Sequence, residues 1–164
     1  MEPVVKVEKL SKKFGEFIAT NAISFEVNKG EIFGFLGANG AGKTTAMRML
    51  SGLLTPSSGQ AFVASFDVAT QAELVKKNIG YMSQKFSLYE DLTIQENIEF
   101  YGGIYELSRQ EIKDRSKGIV DKFQLASVKN KLVKTIPLGW KQKLAFALAL
   151  IHKPKVVFLD EPTG

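Results

Sequence analysis

The chain of 164 residues contains no cysteine. Disulfides are therefore excluded, and the composition fits a reducing compartment. The N-terminus lacks a basic stretch followed by an apolar run, so it does not read as a secretory signal. The longest unbroken apolar run, residues 144–151, falls far short of the ~20 residues needed to cross a bilayer. The chain is not expected to span a membrane by itself. No internal repeat or low-complexity segment interrupts it. The remaining composition, 45% hydrophobic and 24% charged, is that of an ordinary soluble protein and names no function. A net charge of +5 is compatible with an anionic partner such as nucleotide, nucleic acid or lipid headgroups. The lysines are spread along the chain, however, and their densest group (Lys129, Lys131, Lys134, Lys141, Lys143) reads as a solvated face.

One stretch organises the rest. Residues 32–36 (Ile32, Phe33, Gly34, Phe35, Leu36) read as a buried strand, and residues 45–54 as a helix with Met47, Leu50, Leu53 and Leu54 on one face. Between them stands Gly37-Ala38-Asn39-Gly40-Ala41-Gly42-Lys43-Thr44-Thr45. Strand, glycine-rich turn and helix are the context a phosphate-binding loop requires. The helix start offers backbone N–H groups and the positive end of the dipole to an anion. Glycines at 37, 40 and 42 let consecutive N–H groups turn inward and let the backbone approach phosphate closely. Lys43 supplies a point charge for β- and γ-phosphates, and the Thr44 hydroxyl suits the shell of a magnesium ion.

Around this loop the pattern changes along the chain. Residues 4–9 alternate like an edge strand, 11–15 read as a turn, and 18–27 as one or two strands closed by Asn28-Lys29-Gly30. After a loop at 55–59 come a short strand at 60–64, a helix at 72–78 and a buried strand at 79–83 ending before Gln84. Thr93 with Glu96, and Ser108 with Glu111, form two capping boxes that open helices. Residues 135–139 are irregular, 140–152 form an apolar helix stopped by Lys153-Pro154, and 156–161 form a strand. Four apolar residues followed by Asp160 and Glu161 deliver two carboxylates to the strand's C-terminal end, where ligands bind in open α/β sheets. Asp160 suits a phosphate-bridging magnesium ion, and Glu161 a base for the attacking water.

The order phosphate loop, Gln84 after a strand, helical middle, glycine-containing segment and apolar-Asp-Glu-Pro-Thr closely resembles the ATPase domain of ATP-binding cassette (ABC) proteins. The resemblance covers nearly the whole chain, and residues 79–105 with the PLGWKQK wording look most like bacterial ABC-2-type exporters. It implies an α/β fold: a P-loop NTPase (RecA-like) core with an N-terminal antiparallel β-subdomain and a helical insert at about 90–150. Residues 1–164 would then be a single, incomplete ABC ATPase domain. It implies ATP and Mg²⁺ held by Gly37, Asn39, Gly40, Ala41, Gly42, Lys43, Thr44 and Thr45, with metal contacts from Thr44, Gln84 and Asp160. By the same resemblance Glu161 and Gln84 would take the catalytic roles and Phe14 would stack on adenine; His152, from its position alone, reads as a helix C-terminal residue facing the dipole. Phe86, Leu88, Tyr89, Phe100, Tyr101 and Tyr105 lie where relatives receive the membrane partner, with two or three expected to face it.

Two departures stand out. The family's Leu-Ser-Gly-Gly-Gln signature is matched here by Ile136, Pro137, Leu138, Gly139 and Trp140. Pro137 has no hydroxyl for a γ-phosphate, whereas the Gly139 N–H keeps the helix-end contribution. The switch histidine that follows the acidic strand in relatives has no match, because the only histidine, His152, precedes that strand. By the same resemblance, a strand between the phosphate-loop strand and the Asp160 strand is missing, and the chain alone is expected to be marginal or aggregation-prone. The implied function is an exporter's ATPase, on the cytoplasmic face of the bacterial inner membrane. Its expected partners are a second ABC ATPase domain and integral-membrane permease subunits, with no direct nucleic acid. A non-transport ABC-type ATPase and a nucleotide-binding regulatory module with little turnover are the alternatives.

Overall fold

The computed structural model describes residues 2–36, 40, 42–83 and 85–160. They fall into two compact units, Met1–Ile79 and Gly80–Gly164. The first is built on a four-stranded antiparallel sheet in the order β2-β1-β3-β4. Its strands are β1 Val5–Phe14, β2 Phe17–Val27, β3 Ser58–Val63 and β4 Phe66–Asp67. This is the antiparallel β-subdomain read from the sequence, but β1 is central and not an edge. Val5 and Val7 register with Val27 and Phe25 on one side and with Val63 and Ala61 on the other, and both are buried. Lys6 and Glu8 share the opposite face and pair at 3.0 Å. The alternation thus reports a sheet with one wet face, which a central antiparallel strand shows as readily as an edge strand.

Strand β1 also runs through the expected turn at 11–15, leaving only Gly15 and Glu16 as the reversal. It crosses register shifts near Lys9 and Ala22, whose φ values are +47° and +46°. The Ser24 hydroxyl accepts the Lys9 N–H at 2.8 Å, and the Ser11 hydroxyl accepts the Ala22 N–H at 2.7 Å. Ser11, read from the sequence as part of a turn, and Ser24, read as part of a strand, here replace ladder bonds at bulges.

Helix α1 (Lys43–Leu50) stops four residues before the apolar periodicity does. Gly52, at φ +71°, closes it: its N–H bonds the Met49 carbonyl at 3.1 Å, and the Leu53 N–H bonds the Arg48 carbonyl at 2.9 Å. That is a Schellman motif, and it turns Leu53 outward to 58% exposure. Helix α2 (Ala72–Asn78) falls where expected. Residues 31–36 correct the sequence reading, because they form no strand. Phe33 and Phe35 pack on Phe25 at centroid distances of 4.8 and 5.1 Å, while Ile32 and Leu36 are 99% and 96% exposed. An apolar extended run becomes a strand only when a neighbour takes its N–H and C=O groups, and among the described residues none does.

The second unit takes in β5 (Ile79–Met82) from its second residue on, α3 (Ile94–Ile104), α4 (Arg109–Lys122), a 3₁₀ turn at Val133–Thr135, α5 (Leu138–Ala149) and β6 (Val156–Leu159). Strands β5 and β6 form a two-stranded sheet. Both capping boxes are present, with Glu96 N–H on Thr93 and Glu111 N–H on Ser108 at 3.1 and 3.2 Å. The helical core gathers Ile94, Ile98, Leu125, Val133, Leu144 and Leu148, all at most 4% exposed. Helix α5 starts earlier than read, at Leu138, with Pro137 (φ −60°) as its N-cap, and ends at Ala149. His152 therefore lies beyond the helix and stacks on Tyr105 at 3.6 Å, in place of the expected last-turn position.

Candidate nucleotide site

In the first unit, Gly40 and Gly42 both adopt left-handed backbone, at φ +82° and +81°, and Gly42 is the N-cap of α1. The first helical bond runs from the Ala46 N–H to the Gly42 carbonyl at 2.9 Å. The N–H groups of Lys43, Thr44 and Thr45 precede it and have no helical acceptor by geometry. No acidic residue occupies this first turn, so no carboxylate of α1 itself competes with a bound anion for the positive helix end. Thr44 is exposed, and Lys43 and Thr45 are half-buried. Gly37, Ala38, Asn39 and Ala41 lie outside the described residues.

Gly42 is seated against β2. A methyl group at Gly42 would lie 2.0 Å from the Ala19 carbonyl oxygen and 3.2 Å from the Thr20 hydroxyl. Ala19 is the extra residue of a register shift between the pairs Lys13–Ile18 and Lys12–Thr20, and the Thr20 hydroxyl reaches the Gly42 carbonyl at 3.5 Å. From Thr20 the ladder continues to Phe14, directly opposite Phe17. Phe14 is 51% exposed and Phe17 64%. An exposed aromatic ring at a hairpin end offers a face on which a planar base can stack.

In the second unit, Asp160 follows β6 and is buried at 6% exposure. Its N–H bonds the Met82 carbonyl at 2.9 Å, which sets it beside the end of β5, the strand that leads to Gln84. Gln84 and Glu161 themselves lie outside the described residues. At the signature, Pro137 makes no side-chain cap bond. Gly139 is exposed in the first turn of α5, where helix geometry leaves its N–H without an acceptor. Trp140 packs on the helical core and carries Lys143 over its ring at 4.7 Å. Thr44 in the first unit offers a hydroxyl and Asp160 in the second a carboxylate, and each by itself is a hard oxygen of the kind Mg²⁺ prefers.

Two features escaped the sequence reading. Asn97, fully buried, accepts the Tyr89 N–H and donates to the Tyr89 and Thr93 carbonyls, at 2.9–3.0 Å. Lys141 and Lys134 pair with Glu90 and Asp91, both at 2.7 Å, and the Tyr101 hydroxyl donates to the Ser87 carbonyl. Together they fasten the segment after Gln84 to the helical body. A polar residue on the apolar stripe of α3 was the available signal for Asn97. Of the aromatic start of the insert, Leu88, Tyr101 and Tyr105 serve the helical core and Phe86 packs on Met82, Ala145 and Ala149. Tyr89 and Phe100 stay 46% and 42% exposed, edge to face at 4.5 Å.

The phosphate-loop geometry, the β-subdomain and the capped helical insert define a P-loop ATP-binding domain, and the ABC transporter family model matches residues 20–164. The chain belongs to that family. It is 44% identical over 163 residues to the probable multidrug ABC transporter ATP-binding protein YbhF of Escherichia coli, covering 99% of this chain and 28% of that protein. It is 35% identical over 162 residues to the daunorubicin resistance ATP-binding protein DrrA3 of Streptomyces coeruleorubidus, covering 99% and 51%. Among solved structures, CbiO1 of Clostridium perfringens, part of the ABC transporter complex CbiONQ, superposes with a TM-score of 0.87 at 27% identity. That match covers 99% of this chain and 67% of CbiO1.

Proposed function

We propose that residues 1–164 belong to a single ABC ATPase domain, with its helical insert at about 90–150, that binds and hydrolyses ATP to energise an exporter. The observation that carries this reading is the backbone at the start of α1: Gly40 and Gly42 are both left-handed, Gly42 is the helix N-cap, and the first turn holds Lys43 and no acidic residue. Lys43 holds the β- and γ-phosphates, and Mg²⁺ takes oxygen ligands from Thr44 and Asp160 with Gln84. Glu161 polarises the attacking water. A second ABC ATPase domain docks head to tail, so that Gly139 and the α5 N-terminus of one chain face the nucleotide of the other. Tyr89 and Phe100, the exposed aromatic pair, are the contact for a membrane permease on the cytoplasmic face. The exporter assignment rests on the multidrug and daunorubicin-resistance relatives.

The test is Mg-ATP binding and hydrolysis by the purified chain, alone and with permease subunits in lipid vesicles. Binding with turnover raised by the permease supports the reading, and no ATP binding under either condition overturns it. Pro137, a cap without a hydroxyl, favours one alternative, a nucleotide-binding module with little turnover. Tight ATP binding with no hydrolysis in the presence of permease would select it.

A further inference from the structure

Lys12 is the residue whose contacts the reading above leaves unused. Its ammonium lies over the Phe14 ring, 5.3 Å from the centroid, and donates to the Thr55 carbonyl at 2.7 Å. It is also the ladder partner of Thr20, whose hydroxyl reaches Gly42. The cation covers one face of Phe14, while half of the residue's surface stays exposed. Phe17 is the partner of Phe14 directly across the ladder. A phenyl ring at a hairpin end swings about its side-chain bonds unless something holds it. Here a cation attracted to the negative face of the ring, itself tied to a backbone oxygen, restricts that motion. A cation on one face also draws ring electron density towards itself, which favours stacking of an electron-rich base on the other.

We propose that Lys12 is a positioning residue for adenine, holding the Phe14 ring from behind so that the base stacks on its open face. The proposal rests on the reading of Phe14 as the adenine platform. It separates two sources of ATP affinity, a base-stacking part governed by Lys12 and Phe14 and a phosphate part governed by the loop. Inorganic tripolyphosphate, which has no base, probes the second alone.

The experiment is calorimetric titration of the full chain with Mg-ATP and with Mg-tripolyphosphate, each variant being checked for an unchanged thermal transition. Lys12→Met should weaken ATP by about two- to fivefold and leave tripolyphosphate unchanged. Lys12→Gln keeps a donor for Thr55 but no charge and should match it, whereas Lys12→Arg should restore binding. In a Phe14→Ala background, Lys12→Met should have no further effect. Equal weakening of ATP and tripolyphosphate would overturn the proposal, since Lys12 would then act on phosphate. So would an undiminished Lys12 effect without the Phe14 ring. A Phe14→Ala chain that keeps its full preference for ATP over tripolyphosphate defeats the adenine reading itself, whereas a normal Phe14 effect with an inert Lys12 defeats this proposal alone.

Discussion

A methyl group at position 42 would collide with the Ala19 carbonyl oxygen at 2.0 Å, and at φ +81° an L side chain is strained whatever the space. Both obstacles are backbone, so neither yields to a rotamer change. Gly42→Ala should therefore lose ATP binding and also lower stability, by ~1–3 kcal/mol for the left-handed strain alone. Lys43→Ala removes the half-buried charge to which the proposed function assigns phosphate binding, and should abolish measurable ATP affinity while the thermal transition stays in place. Calorimetry with a melting curve on both variants separates them. A Lys43 variant with unchanged affinity would sink the phosphate-loop assignment. The glycine and lysine spacing was legible because the chemistry is local. Asn97 was not, because its three bonds reach back to Tyr89 and Thr93, and only the folded segment shows that a polar side chain is needed there.

The helices of the second unit begin in the same way, and their starts respond to acid. Glu96 and Glu111 are both held below the usual carboxylate range, chiefly by the backbone N–H groups of Thr93 and Ser108. A carboxyl whose folded pKa lies below its unfolded value stabilises the fold above that value. It loses the contribution as pH falls through the lower one. The stability of α3 and α4 should therefore be flat down to about pH 4 and fall below it. Glu96→Gln with Glu111→Gln should flatten that acid limb, as followed by circular dichroism during acid titration. Thr93→Ala and Ser108→Ala should each cost about 1 kcal/mol at neutral pH. These boxes could be read four residues at a time. The central place of β1 could not, since its partners Val27 and Val63 lie 22 and 58 residues further along (27 − 5 and 63 − 5). The apolar run at 32–36 misled for the same reason: its composition is that of a strand, but a strand also needs a neighbour.

At the scale of the molecule, Ile32 and Leu36 present almost fully exposed apolar side chains immediately before the phosphate loop. Exposed apolar surface beside unpaired backbone invites association between copies. Light scattering of the purified chain should show concentration-dependent self-association, and Ile32→Lys with Leu36→Lys should suppress it; a monodisperse parent chain would refute this. Association driven by nucleotide is a separate matter. Glu161→Gln should retain ATP and accumulate a dimer on size exclusion only when Mg-ATP is present, and a variant that stays monomeric or hydrolyses at the parental rate would remove Glu161 from its role. The contact between Gly42 and Ala19 has a thermodynamic reach beyond the site. Any ligand that holds the loop in its native backbone also holds the strand behind it, because a ligand confined to the native state stabilises whatever must open for the loop to open. Amide hydrogen exchange along β2, around Ala19 and Thr20, should slow tenfold for each tenfold rise in saturating ATP, if strand and loop open as one cooperative unit. The hairpin would then register the cellular ATP level as a change in its own opening rate.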